Sequence, residues 1–204
     1  MTDAAKIDGR RAKGDRTRAR ILDAAVLLAS RQGLEGLTLG DVAKGAGVTK
    51  GAITVLFGNR LALQLATLDE ALARFAAVAV TEPDAPALSR LADLFGAWFE
   101  FVGARTLPGG CFLHSVISEY RARPGPIQDR VRQRRGAWRA TVLGLLAMAR
   151  DRGELAAGAD VEQLAFELLA FQAAADTADP HGDRAVFERA RTSIAKALET
   201  VERT

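Results

Sequence analysis

Thr49-Lys50-Gly51-Ala52 puts a hydroxyl, an ammonium and two residues with almost no side chain at the start of what reads as a short helix. Thr49 can cap that helix. The unbonded N–H groups of the first turn and the positive end of the helix dipole then attract phosphate, and Lys50 adds a full charge. Gly51 and Ala52 let the backbone come close to whatever it meets. This is anion-recognition chemistry, not bond making. Little else in the chain could carry catalysis or a metal centre. There is one cysteine, Cys111, and there are two histidines, His114 and His181, and no nucleophile, base and orienting group stand near one another in sequence. No enzyme activity, metal or cofactor is expected. A single cysteine makes no internal disulfide, which agrees with a reducing compartment.

The elements that must hold this group follow from apolar spacing. Apolar residues recur at helical intervals nearly everywhere and no period-2 run stands out, so the chain reads as all-α. Ile21, Leu22, Ala25, Val26, Leu28 and Ala29 form the stripe of a first helix over about 15–32, closed by Gly33. Thr38 caps a second helix with Leu39, Val42, Ala43 and Ala46 inward, ended by Gly45 and Gly47. The third spans about 50–57, with Ile53 and Phe57 one turn apart pointing inward. Asn59 caps a fourth that reaches about Val80. Helices of one to two turns cannot stand alone, so the first must support the next two in a helix-turn-helix unit.

Spacing alone serves a packing hairpin equally well; the charge distribution favours DNA. Residues 1–60 hold 11 Lys+Arg against 6 Asp+Glu, whereas 61–204 hold 17 against 19. A basic segment, with Arg10, Arg11, Lys13, Arg16, Arg18 and Arg20 as an arm able to reach flanking phosphates, precedes a slightly acidic body. The first ten or so residues read as disordered.

Residues Thr17–Ala71, "TRARILDAAVLLASRQGLEGLTLGDVAKGAGVTKGAITVLFGNRLALQLATLDEA", resemble the DNA-binding region of the tetracycline-repressor (TetR) family over some 55 residues. The matching pieces are the first helix ending in "RQG", the Thr38 cap before "DVAKGAGV", "TKGAI", Phe57 and the Gly58-Asn59-Arg60 turn. "PGGCFLHSVISEYRARPGP" also resembles segments of some members. The resemblance implies an operator-binding dimer whose C-terminal helices hold a small molecule that lowers DNA affinity. It implies a DNA-facing set of Thr38, Thr49, Lys50, Gly51, Ala52, Thr54, Val55 and Arg60. Where the family usually has aromatic or histidine donors, this chain has Thr54-Val55-Leu56. Valine and leucine cannot donate to phosphate, so anchoring falls to Thr38, Thr49, Lys50, Arg60 and the arm. Val55 can instead touch a thymine methyl, and Leu56 packs toward the fourth helix.

Glu82-Pro83-Asp84-Ala85-Pro86 breaks the chain after the fourth helix. Five further helices are expected at about 87–104, 111–122, 126–152, 160–178 and 183–202, the last two separated by Asp179-Pro180. Aromatic residues gather here, mostly as core. Trp98, His114, Trp138 and Gln172 are the candidates for a largely apolar small-molecule pocket between facing helices. Cys111, beside Gly109-Gly110 at a helix start, reads as a small buried thiol more readily than as a reactive thiolate. The arginines of "DRVRQRRGAWR" read as a solvated face. The last two helices, carrying Leu164, Leu168, Leu169, Phe187, Ile194 and Leu198, are apolar around more than one face and suggest an isologous dimer interface.

The chain is therefore expected to be an all-α homodimer, with a basic arm and helix-turn-helix DNA-binding domain over residues 1–60 and a ligand-binding and dimerisation helical domain over 61–204. Its expected function is a ligand-responsive regulator, a repressor released from double-stranded operator DNA by a small molecule. The rivals are a small-molecule-binding or catalytic helical protein whose DNA unit does not function, prompted by Thr54-Val55-Leu56, and an architectural DNA-binding dimer. The longest charge-free run, Thr106–Ser118, is 13 residues and broken by Pro108-Gly109-Gly110, so no membrane span is expected. Without an apolar leader at the N-terminus, a cytoplasmic protein is expected.

Overall fold

Polar caps start the helices that matter most for the site. Thr38 Oγ1 accepts from Asp41 N at 3.1 Å, Thr49 Oγ1 from Ala52 N at 3.1 Å and Asn59 Oδ1 from Ala62 N at 2.9 Å. Each satisfies an N–H group that the helix itself leaves open, at about 1 kcal/mol per cap. The computed structural model describes residues 3–178 and 182–202, with side chains from residue 12 onward. In it α1 spans Asp3–Gln32, α2 Leu39–Ala46, α3 Lys50–Phe57, α4 Arg60–Val78 and α5 Ala87–Gly103. α6 spans Phe112–Glu119, α7 Pro126–Asp151, α8 Val161–Ala178 and α9 Arg184–Val201. Among the described residues there is no strand, only a bridge between Leu155 and Glu202, and no single helix is long and apolar enough to cross a membrane.

The first helix is longer than its apolar stripe. It begins at Asp3, not near Asp15, and so includes the segment expected to be disordered. That segment has few apolar residues and hence no stripe to read, but its Ala, Lys and Arg content favours helix. Arg10 and Arg11 of the expected arm lie outside the described side chains, and Asp179, Pro180 and His181 outside the described residues.

Ile21, Ala25 and Val26 of α1 are fully buried with Leu34, Leu37, Val42, Ile53 and Leu63. α3 contributes only Ile53 and Phe57 to this core, which frees its opposite face. α4 leaves α3 at 76° and continues into the C-terminal helices, where Leu91, Phe95, Leu146 and Leu168 are buried. Asp69 of α4 pairs with Arg130 and with Arg134, the latter at 2.7 Å, tying α4 to α7.

α8 and α9 make the most extensive helix–helix packing in the chain. It consumes most of the apolar surface that the sequence offered for dimerisation. Leu164, Ala165, Leu168, Phe187, Ala190, Ile194 and Leu198 are buried within the protomer, and Leu169 is half-buried. What stays outside is Phe166, 66% exposed, and Val186, 38% exposed.

Candidate nucleic-acid interface

The turn between α2 and α3 sets how far α3 projects. Gly47 closes α2 with φ 61°, a left-handed conformation that a Cβ would penalise, and Val48 N returns to Ala43 O at 3.0 Å. One residue later Thr49 starts α3. The intrahelical bonds of α3 begin with Ala52 N and Ile53 N, both to Thr49 O, so the N–H groups of Lys50 and Gly51 precede the ladder.

Burial of Ile53 and Phe57 turns the other face of α3 outward. Thr49, Lys50, Gly51, Thr54 and Val55 are exposed and Ala52 is half-buried. Val55, 86% exposed, is the most exposed large apolar side chain described. Leu56 is half-buried against the core. Two hydroxyls of the expected set are occupied: Thr38 Oγ1 donates to Asp41 Oδ2 at 2.6 Å and Thr54 Oγ1 to Lys50 O at 3.2 Å. A Cβ at Gly40 would lie 3.1 Å from Lys50 Cε. The lysine stem therefore rests over the first turn of α2 because that position is bare.

Three of the expected phosphate-binding arginines are placed elsewhere. Arg20 Nη2 donates to Ala46 O at 2.6 Å, capping α2 at its C-terminal end. Arg18 Nη1 donates to Leu56 O at 3.3 Å, with its guanidinium 4.4 Å from the Phe57 ring centre, and does the same for α3. Cations at carbonyl ends of helices suit the dipole, at about 0.3–1 kcal/mol each on an exposed surface; the larger effect is to fix both short helices on α1. Arg60 Nε donates to Leu37 O at 2.9 Å, its Nη2 to Glu35 O, and it faces the Glu35 carboxylate at 3.4 Å. Its fork is committed to the α1–α2 turn. Lys13, Arg16, Arg31, Lys44 and Lys50 remain as exposed cations of this unit among the described side chains. The sequence carried no sign of these inward arginines, because their partners are backbone carbonyls 23 to 38 residues away.

Glu35 links this unit to the C-terminal helices. The Tyr120 hydroxyl donates to it at 2.7 Å and is the main cause that holds its carboxyl below the ordinary value, aided by Arg60 and Arg123 and opposed by partial burial. A group lowered in this way contributes stability above its unfolded value, and loses it as pH falls through the lowered folded value. The bond is therefore intact at neutral pH. Tyr120→Phe is expected to raise the Glu35 pKa in a carboxyl-carbon NMR titration; an unmoved value would contradict this assignment.

Of the expected ligand residues, Trp138 and Gln172 touch each other, whereas Trp98 and His114 have other partners. Trp138 Nε1 donates to Gln172 Oε1 at 2.8 Å, and its ring packs edge-on against Phe75 and Phe95 at 6.0 and 5.8 Å. Trp98 packs on Phe99 and Phe187. His114 Nδ1 lies 3.5 Å from Asp176 Oδ2, one turn of α8 beyond Gln172, and burial lowers its pKa, favouring the neutral ring. Burial, then the charge of Asp176, pushes the Cys111 thiol well up, so it stays protonated and is not the activated thiolate that a helix start could have produced. Two surface depressions are lined by none of Trp98, His114, Trp138 and Gln172, although the second borders Phe187, the ring on which Trp98 packs. One, of about 430 Å³, is lined by Arg18, Leu22, Ala66, Asp69, Glu70 and Ala73. The other, of about 80 Å³, lies beside Gly103, Arg105 and Phe187.

Known proteins resemble the chain along most of its length. The family described as "Bacterial regulatory proteins, tetR family" matches residues 21–67, and "Tetracyclin repressor-like, C-terminal domain" matches 87–194. A TetR transcriptional regulator from Chloroflexus aurantiacus is 24% identical over 94% of this chain and 98% of its own, with a TM-score of 0.81. A TetR-family regulator from Cytophaga hutchinsonii is 20% identical with the same coverage and a TM-score of 0.79. A putative transcriptional regulator from Saccharomonospora viridis, solved in complex with choline, is 20% identical over 93% of this chain and all of its own, with a TM-score of 0.74. No curated protein matches. The structures share the fold, and the C-terminal family match alone spans more than half of the 204 residues. The chain thus belongs to the TetR family of transcriptional regulators, with α1–α3 as its DNA-binding helix-turn-helix unit.

Proposed function

We propose that the chain is a homodimeric repressor released from operator DNA by a small molecule. The observation that carries the DNA part is the outward face of α3, Lys50, Gly51, Thr54 and Val55, displayed by burial of Ile53 and Phe57. The DNA-facing set is Thr38, Thr49, Lys50, Gly51, Ala52, Thr54 and Val55. Lys50 and the N–H groups beside it take phosphate, which positions the protein, and Val55 meets a thymine methyl, which reads sequence. Arg60 holds the turn behind them. Residues 1–60 form the DNA-binding domain in this reading and 61–204 the ligand-binding and dimerisation domain.

The dimer forms through α8, whose outer face carries Phe166, Ala170, Ala173, Ala174 and Thr177, all exposed. Small side chains let two helices approach closely around the aromatic ring. The effector binds at Trp98, His114, Trp138 and Gln172. It is largely apolar, since aromatic rings surround few hydrogen-bonding groups. The choline-bound neighbour supports a small molecule in this role. The ligand favours a spacing of the two α3 helices that no longer fits successive major grooves.

The test is selection of bound sequences from random duplex DNA, then titration of the complex with a small-molecule panel followed by tryptophan fluorescence. Trp138→Ala, which also leaves Gln172 without its partner, is expected to weaken ligand response by about tenfold or more while operator affinity changes little. Lost operator affinity with an intact ligand response would move the pocket elsewhere.

A further inference from the structure

The end of α6 grips the turn between α1 and α2. Gly33 closes α1 with φ 84°. The two N–H groups that follow, of Leu34 and Glu35, donate to the Glu119 carboxylate at 2.9 and 2.7 Å. Successive N–H groups beside a left-handed residue make a concave anion seat, and a carboxylate there takes two charge-assisted bonds. A Cβ on Gly33 would come within 2.8 Å of Glu119 Oε1, so the glycine serves the carboxylate as well as the turn.

The same turn is held from α4. Gln64, 4% exposed, donates to Leu34 O at 2.8 Å, and Arg60, the first residue of α4, donates to Leu37 O. α2 starts at Leu39, so the pose of residues 33–37 sets how the α2–α3 pair enters. At its other end the eight-residue α6, about 12 Å long, carries His114 against Asp176 of α8. Two further bonds cross to this unit from beyond α5, Tyr120 to Glu35 at 2.7 Å and Gly109 N to Ser30 Oγ at 2.9 Å. Asp69 of α4 with Arg130 and Arg134 of α7 forms partly exposed ion pairs that water and salt weaken and that do not touch residues 33–37. The Glu119 bonds instead reach neutral N–H groups, one of them on the fully buried Leu34.

We propose that Glu119 is a positioning residue for DNA recognition: seated on Leu34 and Glu35, it fixes the pose of the recognition helix relative to the C-terminal helices. Its consequence for operator affinity rests on the DNA-binding reading above. The mechanical part does not.

Full-length Glu119→Ala, Glu119→Gln and Arg134→Ala are compared with the parent chain by backbone amide exchange and by titration of the selected duplex. Glu119→Ala is expected to speed exchange at residues 34–35 and across 38–58 by about tenfold or more, leave α8 and α9 unaltered, and lower operator affinity about tenfold. Glu119→Gln keeps one acceptor and falls between the two. Arg134→Ala leaves 38–58 unaltered. Faster exchange spread evenly over the whole chain, the pattern of a residue that only stabilises the fold, would overturn the proposal. So would parental exchange across 38–58, or unchanged operator affinity alongside faster exchange. A chain that selects no DNA sequence defeats the DNA-binding reading, and the exchange pattern then decides the mechanical claim by itself.

Discussion

Lys50→Ala is expected to weaken operator binding about tenfold to hundredfold and to flatten the slope of log K against log salt by about 2 per dimer. Each lysine–phosphate contact releases about 0.9 of a counterion, and the dimer makes the contact twice. The expected effect is large because Lys50 is the only lysine or arginine on α3 and the donors around it are spent. Thr38 and Thr54 spend their hydroxyl protons on Asp41 and on Lys50 O. Arg18, Arg20 and Arg60 are bound to backbone carbonyls, and Val55 and Leu56 have nothing to donate. Thr54→Tyr restores the family's donor and should tighten binding to many sequences alike. Titration of the operator and a scrambled duplex at several salt concentrations measures both. An unchanged slope for Lys50→Ala would mean that α3 does not enter the groove by its N-terminal end.

Phe166→Lys is expected to turn the dimer into a monomer. Burying a phenylalanine side chain is worth about 1.5–3 kcal/mol, the interface holds two of them, and the substitution also sets two like charges face to face. Operator affinity should fall by about 10² or more, because two half-sites are then bound independently. Sedimentation velocity reads the first effect and operator titration the second; a persisting Phe166→Lys dimer would contradict the α8 interface. A charged substitution at Ile194 is no test of it. That residue is 3% exposed inside its own protomer, so the change would unfold α9 before it reached any partner.

Much of the DNA-binding unit is local and therefore readable. Thr38, Thr49 and Asn59 cap helices within three residues of themselves, and Ile53 and Phe57 lie one turn apart, so spacing alone placed them correctly. The start of α1 was missed because a polar helix has no stripe. The inward arginines and Glu119 were missed for a different reason. Their partners are backbone groups, up to 85 residues away for Glu119, and any residue type supplies a carbonyl or an N–H. The surplus apolar surface of α8 and α9 was legible, but not its direction. Most of it faces the other helix of the pair and the rest of the bundle. Trp138 and Gln172 were both named from sequence as polar groups in an apolar region, but their pairing required the fold.

The central claim, that α3 recognises operator DNA in a symmetric dimer, is tested most directly by selecting bound sequences from random duplex DNA with the purified full-length chain. The account predicts an enriched palindrome, with half-sites spaced for major grooves on one side of the duplex and a thymine at the same place in each, whose enrichment falls when Val55 is replaced by Ala. Failure to enrich any sequence at low salt, where electrostatic attraction is strongest, would contradict it.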